Sequence, residues 1–427
     1  MAYQWTKTDA AAPERVLLIG LDCGDYDAEA SMAELERLTD TAGGLVVGHT
    51  VQKRPAPEGA TYIGSGLVES LAEFCRQNEV DLTVADGSLT PVQARNLERA
   101  LGTAVIDRTA LILDIFAARA RSSEGKLQVE LAQLQYRLPR LGGQGNSLSR
   151  LGGGIGTRGP GETQLESDRR HIRRKISKLE EELKDVRRVR ATQRERRIKN
   201  EVPVVAIVGY TNAGKSTLLN RLTGAAIPAN DRLFDTLDTT TRTLEISDTC
   251  TVLISDTVGF IRKLPHHLVE AFKATLEELE YADLLLHVID ASNPEWRDQT
   301  AVVEDLIREL GAEQTPRLDV FNKCDRYLGD IRPHGEDIVS ISARTGEGVP
   351  ELLAAIGRRL DNGARRVIIH LPYDQGGLLD KLYQQAKVES VEYGETIDVA
   401  AVCTPKVIGQ LGPLVEGWRP RREPWED

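Results

Sequence analysis

The chain has 427 residues, 28% of them charged, and a net charge of −11, so no uniform basic field marks it as a nucleic-acid coat. No apolar run approaches the length of a membrane span, and the amino-terminal MAYQWTKTDAAAPER lacks the apolar region of a secretion signal. Five cysteines, Cys23, Cys75, Cys250, Cys324 and Cys403, show no C-x-x-C spacing, which argues against a disulfide framework or zinc site and fits reduced thiols of a cytoplasmic protein.

From the amino terminus, the short apolar runs Val16 to Gly20, Gly44 to Val47, Leu82 to Ala85 and Thr103 to Ile106 alternate with helical patterns at Ser31 to Thr39, Leu67 to Gln77 and Thr90 to Leu101. Alternation of this kind predicts a small α/β domain over residues 1–110. The Gly64-Ser65-Gly66 that precedes one helix is a weak phosphate signal, equally explained as a plain helix start.

Leu111 to Arg140 brings apolar residues round every three or four positions, with Leu127, Leu131, Leu134 and Leu138 on one face. A break at 141–163 carries nine glycines, and a second helix from about Gln164 to Asn200 repeats Ile172, Ile176, Leu179, Leu183 and Val186 in coiled-coil steps. Residues 111–200 therefore predict an antiparallel helical arm with a glycine-rich tip. Between Leu165 and Asn200 there are fourteen Lys or Arg and seven Asp or Glu, so this segment is +7 and the remainder −18. A solvated coiled-coil face explains some of that charge. The surplus of arginine favours a phosphate backbone as partner, with Arg158, Arg169, Arg170, Arg173 and Arg174 the candidate RNA-binding residues.

Residues 203–362 carry the chemistry. Pro203 to Leu218 reads PVVAIVGYTNAGKSTL: a β-branched run, a glycine-bounded turn and a helical leucine pattern. This is a phosphate-binding loop on a strand-to-helix turn, in which Gly209, Tyr210, Thr211, Asn212, Ala213 and Gly214 present N–H groups to an anion. Lys215 reaches the outer phosphates and the Ser216 hydroxyl can ligate Mg2+. Downstream, an antiparallel pair at Arg242 to Ile246 and Thr251 to Ser255 ends in Asp256-Thr257-Val258-Gly259. Asp256 can hold magnesium through a water, and the Gly259 N–H can face a γ-phosphate. A buried strand at Leu284 to Ile289 follows, and Leu318 to Phe321 then leads into Asn322-Lys323-Cys324-Asp325. The Asp325 carboxylate can accept from the N1–H and amino group of guanine, a donor pair that adenine lacks. After a last strand at Ile338 to Ile341, Ser342-Ala343-Arg344 offers backbone to the guanine carbonyl. The second magnesium ligand should come from Leu233 to Leu244, where Thr236, Thr239, Thr240 and Thr241 all qualify and spacing chooses none of them. Many GTPases place Gln after the Asp-x-x-Gly glycine to orient water. Here Phe260 stands there, so unassisted hydrolysis should be slow, on the order of 10⁻⁴ to 10⁻² s⁻¹.

Beyond these motifs, Arg365 to Pro372, a helix at Gly377 to Lys387 and Thr396 to Val402 predict a small α+β domain over 364–427. The fold class is α/β: an amino-terminal α/β domain and helical arm, a Ras-like phosphate-loop domain with a mostly parallel sheet, and this tail.

Further segments sharpen the reading. DRTALILDIFAARA (Asp107 to Ala120), LQVELAQLQY (Leu127 to Tyr136), GGGIGTRGPGETQLESDRR (Gly152 to Arg170) and LFDTLDTTTR (Leu233 to Arg242) resemble the HflX family of ribosome-associated GTPases. The resemblance implies GTP contacts at Gly209 to Ser216, at Phe234, Asp235, Thr236, Leu237 and Asp238, and at Asp256, Thr257, Val258 and Gly259. It extends them to Asn322, Lys323, Cys324 and Asp325 and to Ser342, Ala343 and Arg344. It selects Thr236 beside Ser216 as metal ligand, which makes Lys215, Thr236 and Gly259 the catalytic set. Two positions depart from the family: Leu67 where Lys often follows the Gly-Ser-Gly, and Thr239 where Pro is usual in the switch segment. The implied activity is Mg2+-dependent hydrolysis of GTP to GDP and phosphate by a cytoplasmic monomer. Its implied partner is the large ribosomal subunit and its rRNA, with ribosome-stimulated hydrolysis and the dissociation or rescue of stalled or idle ribosomes as the outcome. A GTPase of ribosome assembly or RNA modification and a GTP-switched protein-interaction module share the nucleotide motifs. A dinucleotide oxidoreductase is disfavoured, because no G-x-G-x-x-G follows Val16 to Gly20.

Overall fold

A computed structural model describes residues 12–141, 160–199, 202–225, 233–234, 240–247, 250–264, 279–327, 329, 332–360, 363 and 365–418. The described residues fall into two compact units, one drawn from Met1–Arg187, Pro228–Asp238 and Val258–Leu276, the other from Arg188–Ile227, Thr239–Thr257 and Glu277–Asp427.

The first unit holds a parallel sheet in the order β2-β1-β3-β4, from β1 (Arg15–Asp22), β2 (Leu45–Lys53), β3 (Leu82–Ala85) and β4 (Ala104–Asp107). The central strand β1 is apolar and buried along its middle, as a parallel strand covered on both faces must be. β2 runs six residues past the expected Gly44 to Val47 stretch; as an edge strand it pairs along the whole of β1 while carrying polar His49, Thr50 and Gln52. Between the strands, α1 (Ala28–Ala42) starts on Asp27, whose carboxylate accepts from the Glu29 and Ala30 amides, and α2 spans Ser65–Gln77. α3 (Pro91–Leu101) opens with a reciprocal Thr90–Gln93 capping box and a Pro at its start.

The helical stretch expected from Leu111 to Arg140 is divided. α4 (Arg108–Arg119) is capped by Asp107 and buries Leu111, Ile112, Leu113, Ile115 and Phe116. The chain extends at Ala120, and Ser122 caps α5 (Ser123–Arg137) by accepting from the Gly125 amide at 2.9 Å. A serine able to bond the orphan N–H groups of a new helix competes with continuation of the old one, which is why periodicity alone hides the break. α5 packs against the 40-residue α6 (Pro160–Lys199) through Leu131, Leu134, Leu179 and Leu183, flanked by Leu127, Ile172 and Ile176. Burying each such leucine contributes roughly 1.5–3 kcal/mol. Of the expected seam, Leu138 instead enters a short 3-10 turn, Leu138–Leu141, and Val186 is half-buried outside the cluster.

In the second unit a six-stranded sheet runs β10-β9-β8-β5-β7-β6. Its strands are β5 (Val204–Gly209), β6 (Thr240–Ser247), β7 (Cys250–Asp256), β8 (Leu284–Asp290), β9 (Arg317–Asn322) and β10 (Ile338–Ser340). All pairings are parallel except that of the edge strand β6 with β7. Helices α7 (Lys215–Thr223), α8 (Trp296–Glu309) and α9 (Val349–Arg359) cover it, with Val205, Ile207, Leu286, Val288, Leu318 and Leu352 in the core. A separate antiparallel sheet, β11 (Arg365–Leu371), β13 (Ile397–Cys403) and β12 (Lys387–Tyr393), carries α10 (Gly377–Gln385) and α11 (Pro405–Leu411). Among the described residues no helix is long and apolar enough to cross a membrane, and none of the five cysteines forms a disulfide.

Candidate nucleotide-binding site

In the order β10-β9-β8-β5-β7, five parallel strands end side by side, so the loops that follow them share one edge of the sheet. Open α/β sheets gather ligands at that edge. β5 ends at Gly209, whose φ is +152°; a Cβ there would lie 2.3 Å from the Val288 carbonyl oxygen of the neighbouring strand. Gly214, at φ +97°, passes equally close to Asn322, and a Cβ would meet the Asn322 amide nitrogen at 2.2 Å. Both glycines are therefore required by backbone approach, and they leave Tyr210 to Ala213 as a loop closing onto the start of α7.

Lys215, the first residue of α7, is buried at 6% exposure. Its ammonium donates to the Gly209 carbonyl at 3.1 Å and the Tyr210 carbonyl at 2.9 Å, so it spans the loop from within. Burial is the main cause that lowers its pKa to about 8; the nearby Asp256 opposes this and Lys323 adds to it. The Ser216 hydroxyl donates to the Asp256 carboxylate at 2.7 Å. These are adjacent hard oxygen donors, a set suited to Mg2+, which favours carboxylate, water and phosphate oxygens. Thr257 is buried, its hydroxyl donating to the Ile207 carbonyl at 2.7 Å, and so serves the strand.

The Asn322-Lys323-Cys324-Asp325 loop ties the edge together. The Asn322 side chain donates to the Ala213 carbonyl at 2.8 Å and accepts from the Ala343 amide at 2.9 Å, linking the phosphate loop to the Ser342–Arg344 loop. Lys323, at φ +62°, donates to the Asn212 carbonyl at 2.8 Å. Cys324 is buried and its amide donates to the Ile341 carbonyl at 3.0 Å. Asp325 accepts from the Ser342 hydroxyl at 2.7 Å and from the Arg344 guanidinium at 2.7 Å. The Ser342 bond, with the Arg344 charge, holds its carboxyl below the usual range, so it stays an ionised acceptor.

Two supports carry no motif. Asp290, the last residue of β8, accepts from the Lys323 ammonium at 2.7 Å, and Arg221 on α7 donates to the Ala343 carbonyl at 3.1 Å and to that of Arg344. A carboxylate closing a buried apolar strand is the same signal that marks Asp256, and it could have pointed to Asp290. Nothing in the sequence points to Arg221, whose partners are backbone carbonyls.

Val258, Gly259 and Phe260 are placed in the first unit, where Phe260 is 1% exposed. Phe234, at φ +55°, is also buried in that unit and meets Phe116 edge-on at 4.8 Å. Asp235, Thr236, Leu237, Asp238 and Arg158 lie outside the described residues. On α6, Arg170, Arg173 and Arg174 are exposed and Arg169 is half-buried.

Family models match in chain order: a GTP-binding GTPase N-terminal region at residues 29–117, its middle region at 119–197, a 50S ribosome-binding GTPase at 204–323 and an HflX C-terminal domain at 331–402. A GTPase HflX of Caldanaerobacter subterraneus subsp. tengcongensis is 51% identical over 400 residues, 93% of this chain and 93% of that protein. The GTPase HflX of Escherichia coli K12 is 44% identical over 372 residues, 86% of this chain and 87% of that one. Among solved structures, a GTP-binding protein from the hyperthermophilic archaeon Sulfolobus solfataricus in complex with GDP is 26% identical, covering 81% of this chain and 98% of that chain, with a TM-score of 0.43. Identity at this level along almost the whole length leaves one conclusion: the chain belongs to the HflX family and is a phosphate-loop GTPase, an enzyme that hydrolyses GTP.

Proposed function

We infer that this GTPase acts on the large ribosomal subunit and dissociates stalled or idle ribosomes, with its hydrolysis stimulated by the ribosome. The observation that carries this reading is Phe260: it occupies the position from which many GTPases present a water-orienting Gln, and it is buried at 1% exposure. An aromatic ring cannot orient the attacking water through a strong hydrogen bond, so a partner must complete the site. The 50S ribosome-binding description of the matching family model supports the large subunit as that partner, and the exposed Arg170, Arg173 and Arg174 suit the phosphates of rRNA.

In this reading GTP lies along the carboxyl edge of the six-stranded sheet. Residues Gly209 to Gly214 and Lys215 bind the phosphates, and Asp325 reads guanine beside the backbone of Ser342, Ala343 and Arg344. Mg2+ would be held by Ser216 and Thr236 directly and by Asp256 through water; when bound, it supplies neutralisation of phosphate charge. The chain's own part is to fix the nucleotide and exclude adenine. GTP turnover with and without purified 50S subunits tests the reading, with 70S sedimentation in the presence of a nonhydrolysable GTP analogue as its second arm. Stimulation of at least tenfold and a shift from 70S to free subunits are expected. Absence of both at physiological salt sinks it.

A further inference from the structure

We propose that Asp290 is a positioning residue for nucleotide retention: its carboxylate holds the Lys323 ammonium against the Asn212 carbonyl and so fixes the base-reading loop to the phosphate loop. The proposal rests on the reading of residues 209–216 and 322–325 as the GTP site. Asp290 and Asn322 face each other in register at the ends of β8 and β9, and the Ala291 amide donates to the Asn322 carbonyl at 2.9 Å. The carboxylate and the lysine that follows Asn322 thus leave adjacent strand ends together.

The acid is itself held. One oxygen accepts from the Ser292 amide at 3.0 Å and from the Ser292 hydroxyl at 2.6 Å, and the other is left for Lys323 at 2.7 Å. The two side chains are 15% and 21% exposed, sheltered enough that salt screens them less than a surface pair. Lys323 needs such a partner. Its stem is long and flexible, and a neutral carbonyl alone is a weak reason to order it, whereas a charge-assisted bond to a carboxylate is about twice as strong. The lysine and its target Asn212 both sit at left-handed φ, +62° and +61°, which non-glycine residues seldom adopt without support. One ammonium bridges these two strained turns, and Asp290 anchors it.

Asp290 does not share the atoms that read the base, since Asp325 is held by Ser342 and Arg344. Its loss should therefore speed release of nucleotide while leaving base choice and the hydrolytic step of bound GTP in place. The test follows displacement of a fluorescent GDP from the full-length chain by stopped flow. Single-turnover hydrolysis of prebound GTP and the guanine-to-xanthine affinity ratio are measured beside it. Asp290→Ala should release GDP about tenfold faster, the worth of one charge-assisted bond. Asp290→Asn, which keeps a neutral acceptor and the Ser292 turn, should release it about two- to threefold faster. Both should hold the hydrolytic step and the affinity ratio within twofold. Unchanged release from Asp290→Ala overturns the proposal, and so does an equal fall in hydrolysis or base preference, the mark of a general collapse of the site. Asp325→Asn runs alongside: if it keeps full guanine preference, the assignment of the site fails, whatever Asp290 does.

Discussion

The sheet of the first unit and the larger sheet of the second both place polar residues just beyond the carboxyl ends of buried parallel strands, where open α/β sheets collect ligands. In the second unit that edge is built for an anion: glycine-permitted backbone, the start of α7 and the ammonium of Lys215 converge there. In the first unit the equivalent position after β3 is Asp86, 2% exposed, and it gathers cations from the chain itself. It accepts from Arg108 at 2.8 Å, from the Ser31 hydroxyl at 2.7 Å and from Lys263 at 2.5 Å. Lys263 lies only three residues past Phe260, and its ammonium also sits 3.5 Å from the centroid of the Tyr26 ring. Parallel strand ends therefore say where polar groups gather, and the charge placed there says which kind of partner they take.

The largest effect that could break this comparison is expected at Asp325. Asp325→Asn removes the acceptor pair that matches guanine and supplies a donor to the C2 oxygen of xanthine. Sites built to match a polar group lose about 10⁴-fold when the match is removed, so guanine affinity should fall by up to that factor while xanthosine nucleotides gain. Competitive displacement with GDP and xanthosine diphosphate measures it. Retained guanine preference would mean that the anion-binding edge does not read a base through this loop.

The next effect concerns the first unit. Asp86→Ala leaves the Arg108 side chain, 3% exposed, without one of its carboxylates and should cost about 3–5 kcal/mol in the earliest urea transition of the full chain. Lys263→Ala removes a side chain that is 29% exposed and should cost about 1 kcal/mol. Equal losses would show that Asp86 serves the 258–264 segment more than its own sheet.

Much of this arrangement is readable before any coordinates. Apolar runs that stop at Gly209, Asp256 and Asn322 announce strands delivering polar groups to one edge, and the seam of Leu131, Leu134, Leu179 and Leu183 follows from heptad spacing. What escapes the sequence has physical reasons. β12 reads KVESVEY, and a bulge between Val388 and Ser390 shifts its inward face midway, so period-two alternation is lost. The helical stretch after Asp107 breaks because Ser122 offers a cap, a local hydrogen-bond competition that hydrophobic spacing does not register. Asp86 is one acid among many until the fold surrounds it with Ser31, Arg108 and Lys263, residues 55, 22 and 177 positions away. Among the described residues Arg221 binds the carbonyl oxygens of Ala343 and Arg344, which no side-chain motif can encode.

The smallest effect, and the one that most sharpens the contrast between the two edges, is protonic. With its pKa lowered from 10.5 to about 8 by burial, nucleotide-free Lys215 is charged at pH 7 and largely neutral by pH 9. Between those two values the unfolded chain binds more protons at this site than the folded one, so its contribution to nucleotide-free stability rises with pH over that window. Phosphate oxygens favour the ammonium, and binding above pH 8 must therefore draw a proton from solvent. The expected result is GDP affinity that is flat up to about pH 7.5 and falls above pH 8 by as much as tenfold per pH unit. Calorimetry in buffers of different ionisation enthalpy should register uptake of less than one proton per nucleotide at pH 8.5 and almost none at pH 7. Lys215→Arg keeps its charge throughout this range and should abolish the uptake even where it weakens binding. Uptake that persists in that variant would assign the proton to another group, and Lys215 would then serve the edge as a fixed positive charge throughout this range.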